Sequence, residues 1–128
     1  MGEKTILVVD DEKKIRELLE LRLTSEGYDV LLAQNGEEGV DSARKNKPDL
    51  IIMDVMMPRM DGPEAVKIIQ EDANIKDIPI IFLTSIITKE EEESQPFGIQ
   101  LEPGKHRFFA KPFDTPVLLA EIKKIIGS

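Results

Sequence analysis

Five short apolar runs in this chain end on polar residues, and four of those endings carry groups that can do chemistry together. Ile6-Leu7-Val8-Val9 is closed by Asp10-Asp11, and Leu50-Ile51-Ile52-Met53 by Asp54. Ile80-Ile81-Phe82-Leu83 is closed by Thr84-Ser85, and Phe108-Phe109-Ala110 by Lys111-Pro112. The fifth run, Val30-Leu31-Leu32-Ala33, ends at Gln34-Asn35-Gly36 and brings no charge. If the runs are parallel strands of one sheet, three carboxylates, a hydroxyl and an ammonium emerge along one edge. That edge, outside the carboxyl ends of the strands, is where open α/β sheets bind ligands. Acidic groups gathered beside one lysine suit a divalent cation and a phosphoryl group.

Magnesium takes oxygen ligands, keeps several waters and uses one or two carboxylates plus a substrate phosphate. Asp10 and Asp11 would face opposite sides of an extended strand, but where the chain turns both can lean toward one cation. Asp54 completes the cluster, its charge tolerated beside two like charges because the cation offsets them. A carboxylate is also a competent covalent acceptor for phosphoryl groups. The transition state of phosphoryl transfer is loose, with charge spread over three equatorial oxygens, so positioning and neutralisation dominate. The cation serves one oxygen, the Lys111 ammonium a second, and the Thr84 hydroxyl donates to the third. Singly, each of these residues is more often a cap or turn former. Together, on separate runs and at one edge, they point to chemistry.

The elements that must position them alternate strand-like and helical, the pattern of βαβ units. Ile15, Leu18, Leu19 and Leu23 recur at helical spacing, with Lys13, Lys14, Arg16, Glu17 and Glu20 on the other side and Gly27 as the left-handed stop. A second helix covers about Glu37 to Lys45, where Val40 and Ala43 face inward and Gly39 costs roughly 1 kcal/mol relative to Ala. Pro48 ends it. Gly62-Pro63 opens a third helix with Ala65, Val66 and Ile69 on its apolar face. Thr88 and Glu91 form a capping box for a short fourth helix, soon stopped by Pro96 and Gly98. Thr115-Pro116 starts the last helix, with Leu118, Leu119, Ile122, Ile125 and Ile126 on one face. The fold class is α/β, a doubly wound (βα)5 parallel sheet whose right-handed crossovers place helices on both faces. Ser94 to Lys105, rich in Pro and Gly, is the irregular stretch.

A length of 128 residues reads as one domain, 1–128, with its core at about 4–126. The apolar share of 41% is ordinary, and 5% aromatic residues with no Trp imply an aliphatic core. A net charge of −8 makes a poor template for nucleic acid and favours protein or cation partners. With no Cys there is no disulfide framework, thiolate nucleophile or Cys-ligated zinc, which fits a reducing cytoplasm. No apolar stretch approaches the ~20 residues of a membrane span. The chain runs from its start directly into a strand, so no signal peptide is expected. Met1-Gly2 lacks the hydroxyl that myristoylation requires, since Ile6 holds that position. The expectation is a cytoplasmic protein.

Other features carry no chemistry. His106 is the sole histidine, so no histidine pair or His-based metal site can form. Glu90 to Glu93 reads as a solvated helix face, and Lys105-His106-Arg107 as a small basic surface patch. Met53, Met56, Met57 and Met60 read as core and loop packing. No GxxxxGK[ST] is present, which argues against a P-loop nucleotide enzyme.

From Lys4 to Ile126 the chain resembles the response-regulator receiver domains of the CheY-like family of two-component signalling. The resemblance rests on Ile6-Leu-Val-Val-Asp-Asp-Glu12, on Pro48-Asp-Leu-Ile-Ile-Met-Asp-Val-Met-Met-Pro-Arg-Met-Asp-Gly62, and on Lys111-Pro-Phe113. It implies the strand order 2-1-3-4-5, for which this family is itself a standard example. It further implies that Asp54 is the phosphoacceptor, that Asp10 and Asp11 hold Mg2+ with Asp54, and that the Met56 carbonyl is a third protein ligand. Thr84 and Lys111 contact the phosphoryl group, Ser85 keeps phosphate access open, and Phe108 takes the place of the switch aromatic beside Thr84. The implied partners are a histidine kinase or phosphotransfer protein and a downstream protein, with a phosphorylation-dependent homodimer left open. No membrane or direct nucleic-acid contact is implied. Between Thr84 and Lys111 the interval is longer than usual and lacks the customary Gly-Ala-Asp-x-Tyr approach, reading Glu102-Pro-Gly-Lys-His-Arg-Phe-Phe109 instead. That departure falls on the signalling surface and leaves the catalytic set intact.

Two rivals are weaker. A magnesium phosphohydrolase working through an aspartyl phosphate needs an acid two residues after its nucleophile, where this chain has Met56. A scaffold that binds partners without phosphate does not need the complete Asp/Asp/Asp/Thr/Lys set. Met56 and Ile86, each two positions past an active residue, are apolar and cannot orient a hydrolytic water.

Overall fold

A computed structural model of the chain describes residues 4–54, 62–84, 107–110 and 114–127; for residues 62, 63, 84, 107, 108 and 110 it describes the backbone alone. The five apolar runs are strands, β1 (Thr5–Val9), β2 (Asp29–Ala33), β3 (Leu50–Asp54), β4 (Ile80–Thr84) and β5 (Arg107–Ala110). They form one parallel sheet in the order β2-β1-β3-β4-β5. Four helices are described, α1 (Lys13–Ser25), α2 (Gly36–Asn46), α3 (Gly62–Gln70) and α4 (Thr115–Ile126). The helix expected at Thr88, the irregular stretch Ser94 to Lys105, and His106 lie outside the described residues.

Strand residues alternate between two apolar layers because successive side chains leave a strand on opposite faces. Leu7, Val9, Ile51, Met53, Ile80 and Phe82 pack against Val40 and Ala43 of α2 and Ala65, Val66 and Ile69 of α3. Ile6, Val8, Leu50, Ile52, Ile81 and Leu83 pack against Leu19 and Leu23 of α1 and Leu118 and Ile122 of α4. The sheet is doubly wound, as its sequence pattern requires. Each large aliphatic side chain so enclosed contributes about 1.5–3 kcal/mol. β2 lies at the edge, and there the uniformly apolar run pays a different outcome: Leu32 remains 39% exposed.

Local chemistry closes the helices. Asn35 caps α2 by accepting from the Glu38 N–H at 2.9 Å, and the Glu38 carboxylate reaches back to the Gln34 N–H at 3.1 Å. The uncharged end of β2 is thus a helix cap. Gly27 has φ of +94° just beyond α1, as the left-handed stop demands. Lys47 ends α2 in the same region at φ +46°, and Pro48 follows. Asp114 caps α4 by accepting from Val117 N–H at 3.2 Å.

Register is clamped at the amino end of the sheet. Asp49 Oδ2 accepts from the Thr5 N–H, and the Asp49 N–H donates to the Thr5 carbonyl, both at 2.8 Å. These bonds align β1 with β3 before either reaches its carboxyl end. Among the described residues no helix is long and apolar enough to cross a membrane.

Candidate active site

Val9 of β1 is the register partner of Met53 of β3, so Asp10 and Asp54 stand one step beyond that pair on adjacent strands. Alternation puts Asp10 on the face of Ile6 and Val8, and Asp54 on the face of Leu50 and Ile52, which is the same face. Adjacent strands run about 4.8 Å apart, so the two residues are neighbours along this edge. The carboxylates that converge within 4.8 Å of one another are those of Asp10, Asp11 and Glu12, without Asp54. Both are buried, Asp10 at 0% and Asp54 at 3% exposure, unusual for aspartate.

Asp10 is anchored on several sides. Its N–H donates to the Ala33 carbonyl at 3.1 Å, extending the β1–β2 ladder by one residue. Its Oδ1 accepts from the Glu12 N–H at 2.9 Å, which turns the chain out of the strand. Its carbonyl accepts from Arg16 Nη1 at 2.8 Å. The turn brings the carboxylates of Asp10, Asp11 and Glu12 within 4.8 Å of one another, Asp10 buried and the other two exposed.

Asp10 and Asp11 therefore do lean together past the strand end. Glu12 is an addition, signalled in the sequence only as the third consecutive acid. Arg16 departs from expectation. Helical spacing places it on the solvent side of α1, whereas it is half-buried and turned back onto the Asp10 backbone. The reason is its position one turn into a helix that starts beside Asp10: the long side chain can span the loop to a buried carbonyl past the end of the strand.

The backbones of Thr84 and Phe108 are described. Asp54 pairs with Leu83, Thr84 with Ala110, and Phe108 with Phe82, so β4 and β5 continue the same edge. The Thr84 and Phe108 side chains, and Met56, Ser85, Ile86 and Lys111 altogether, lie outside the described residues. The donor set that is described fits a hard divalent cation. It is all oxygen, partly buried at Asp10 and open to water at Asp11 and Glu12, matching an ion that retains waters.

The response regulator receiver domain family matches residues 6–123. The chain belongs to that family. The alkaline phosphatase synthesis transcriptional regulatory protein PhoP of Bacillus subtilis (strain 168) is 41% identical over 123 residues, which are 96% of this chain and 48% of PhoP. The receiver chain thus spans about half the length of the curated relatives it matches. Among solved structures, the chemotaxis protein CheY4 of Vibrio cholerae is 31% identical with a TM-score of 0.83, covering 97% of this chain and 99% of its own. The receiver domain of sensor histidine kinase PA1611 from Pseudomonas aeruginosa PAO1 has the same identity and TM-score, covering 99% of this chain and 100% of its own. That structure carries a magnesium ion coordinated in its active-site cleft. The fold class and sheet order expected for a receiver, and its place in two-component signalling, hold for this chain.

Proposed function

We propose that this receiver, a single domain over residues 1–128, accepts a phosphoryl group on Asp54 from a histidine kinase or phosphotransfer protein and thereby switches partner binding. The observation that carries the reading is the buried Asp54 carboxylate at the end of β3, on the same face as Asp10 and one register step beyond the Val9–Met53 pair. In the transfer, an Asp54 carboxylate oxygen bonds to phosphorus while the P–N bond of the donor phosphohistidine breaks. The bonding pair stays on the imidazole, leaving an acyl phosphate on Asp54.

Asp10, Asp11 and Asp54, with the Met56 carbonyl, would hold Mg2+, and the Glu12 carboxylate lies within 4.8 Å of those of Asp10 and Asp11. When bound, the cation supplies positive charge to the carboxylates and to the phosphoryl oxygens. Lys111 neutralises a second phosphoryl oxygen, Thr84 donates its hydroxyl to a third, and the small side chain of Ser85 leaves the approach open. The low exposure of Asp54 limits the water that can compete with the donor. Once phosphorylated, Thr84 moves toward the phosphate and Phe108 packs inward, a packing bistability biased by a local charge change. The altered surface then binds a downstream protein or a second copy.

Incubation with acetyl phosphate and Mg2+, followed by intact mass measurement, tests the reading. A retained phosphate adduct, lost without Mg2+, is the expected result. Rapid turnover with no adduct would favour a phosphohydrolase, and no reaction would favour a scaffold.

A further inference from the structure

We propose that Arg16 is a positioning residue for the cation site, fixing the Asp10 backbone so that the acidic turn keeps its geometry. The proposal rests on the cation reading above. The Asp10 backbone stands past the last β1–β3 register pair, at a fully buried residue. Buried carbonyls in folded proteins are hydrogen-bonded. Arg16 Nη1 supplies the donor here at 2.8 Å, from half-buried surroundings on the first turn of α1.

The same helix is tied to the cluster a second way. The Glu12 carbonyl accepts from the Ile15 and Arg16 N–H groups, both at 3.1 Å, while the Glu12 N–H holds Asp10 Oδ1. Glu12 occupies the N-cap position of α1 yet makes no side-chain capping bond. Its carboxylate lies in the acidic cluster, so the residue that opens α1 is also a member of the candidate cation site. Asp10, Asp11, Glu12 and Arg16 therefore form one unit: the acids bind, and the guanidinium holds the turn that presents them.

The guanidinium also places a positive charge near the cluster, and that opposes cation binding. The two effects have opposite signs, so they can be separated. Partners that orient metal ligands typically matter by about 10–100-fold in affinity. The cluster is open to water at Asp11 and Glu12, which screens the repulsion, so loss of anchorage should decide the sign of the change.

The test is calorimetric titration of the whole chain with Mg2+, on wild type, Arg16→Met, Arg16→Gln, Arg16→Lys and Asp11→Ala, each checked for folding by urea denaturation in EDTA. Arg16→Met should bind Mg2+ about ten-fold more weakly, with partial recovery in Arg16→Gln or Arg16→Lys, which keep a donor. Should Arg16→Met not fold, the contrast between Arg16→Gln and wild type carries the same expectation at smaller amplitude. Equal or tighter binding by Arg16→Met and Arg16→Gln, with Asp11→Ala weakened, overturns the positioning role while the cation site stands. Wild type that takes up no Mg2+ overturns both.

Discussion

Val9 and Gly39 are in contact so close that a Cβ on Gly39 would stand 2.9 Å from Val9 Cγ2 and 3.0 Å from Cγ1. Gly39 sits inside α2, where glycine disfavours the helix, and Val9 is the last residue of β1 before Asp10. The missing side chain lets α2 lie directly on the strand that delivers the acidic cluster. Valine cannot yield easily, since its χ1 is restricted and it is fully buried.

Gly39→Ala should therefore destabilise by about 1–3 kcal/mol, the range for overpacking, although helix propensity alone predicts a gain of about 1 kcal/mol. Urea denaturation decides between the two signs. Adding Val9→Ala should recover part of the loss in a double-mutant cycle, because it removes the atoms in conflict. A more stable Gly39→Ala protein would mean that Val9 repacks freely.

Asp54→Asn keeps the size of the side chain and removes the nucleophilic carboxylate, so phosphorylation by acetyl phosphate should vanish while the fold remains. Asp11→Ala should weaken Mg2+ binding and slow phosphorylation without unfolding the exposed turn. Intact mass and calorimetry read the two effects. A phosphate adduct on Asp54→Asn at the wild-type rate would place the acceptor elsewhere.

The lifetime of the phosphate should be long. Hydrolysis needs a water held in line with phosphorus, and Met56 and Ile86 offer such a water no hydrogen bond. Combining Met56→Asn with Ile86→Glu should shorten the life of the adduct, followed by the decay of the phosphorylated mass. A wild-type adduct gone within seconds, or a double mutant no faster than wild type, would assign hydrolysis to other groups.

Stability should fall on the alkaline side. Burial pushes the Tyr28 phenol above its ordinary range, with Lys123 pulling it down and Glu26 pushing it up. The hydrogen bond and charge of Glu26, 2.9 Å from Lys123 Nζ, raise the Lys123 ammonium as well. For both groups the folded value lies above the unfolded one. Their contribution is complete below the unfolded values near ~10 and is lost as pH rises through the folded ones. Urea midpoints should drop in that range, and Tyr28→Phe should flatten part of the drop. An unchanged slope in Tyr28→Phe would remove Tyr28 from the account.

Much was legible in the residues alone. Short continuous apolar runs and helical spacing are local, so the element order, the inward faces of the helices and the acids at the ends of the first and third strands follow from the sequence. So do the left-handed stop at Gly27 and the break at Pro48, since each is a property of one residue's backbone. Tertiary structure decided what depends on neighbours distant in sequence. Register, clamped by Asp49 and Thr5, placed Asp10 and Asp54 on one face and in step. Edge position left Leu32 exposed although its run is as apolar as the others. The close approach of α2 to β1 turned Gly39 from a helix defect into a packing requirement. Arg16 came in from the solvent face because a buried carbonyl needed a donor, and Glu12 joined the acids because the turn at Asp10 carried it there. Periodicity tells which side of an element is apolar; only the packed chain tells which polar group will find a partner there.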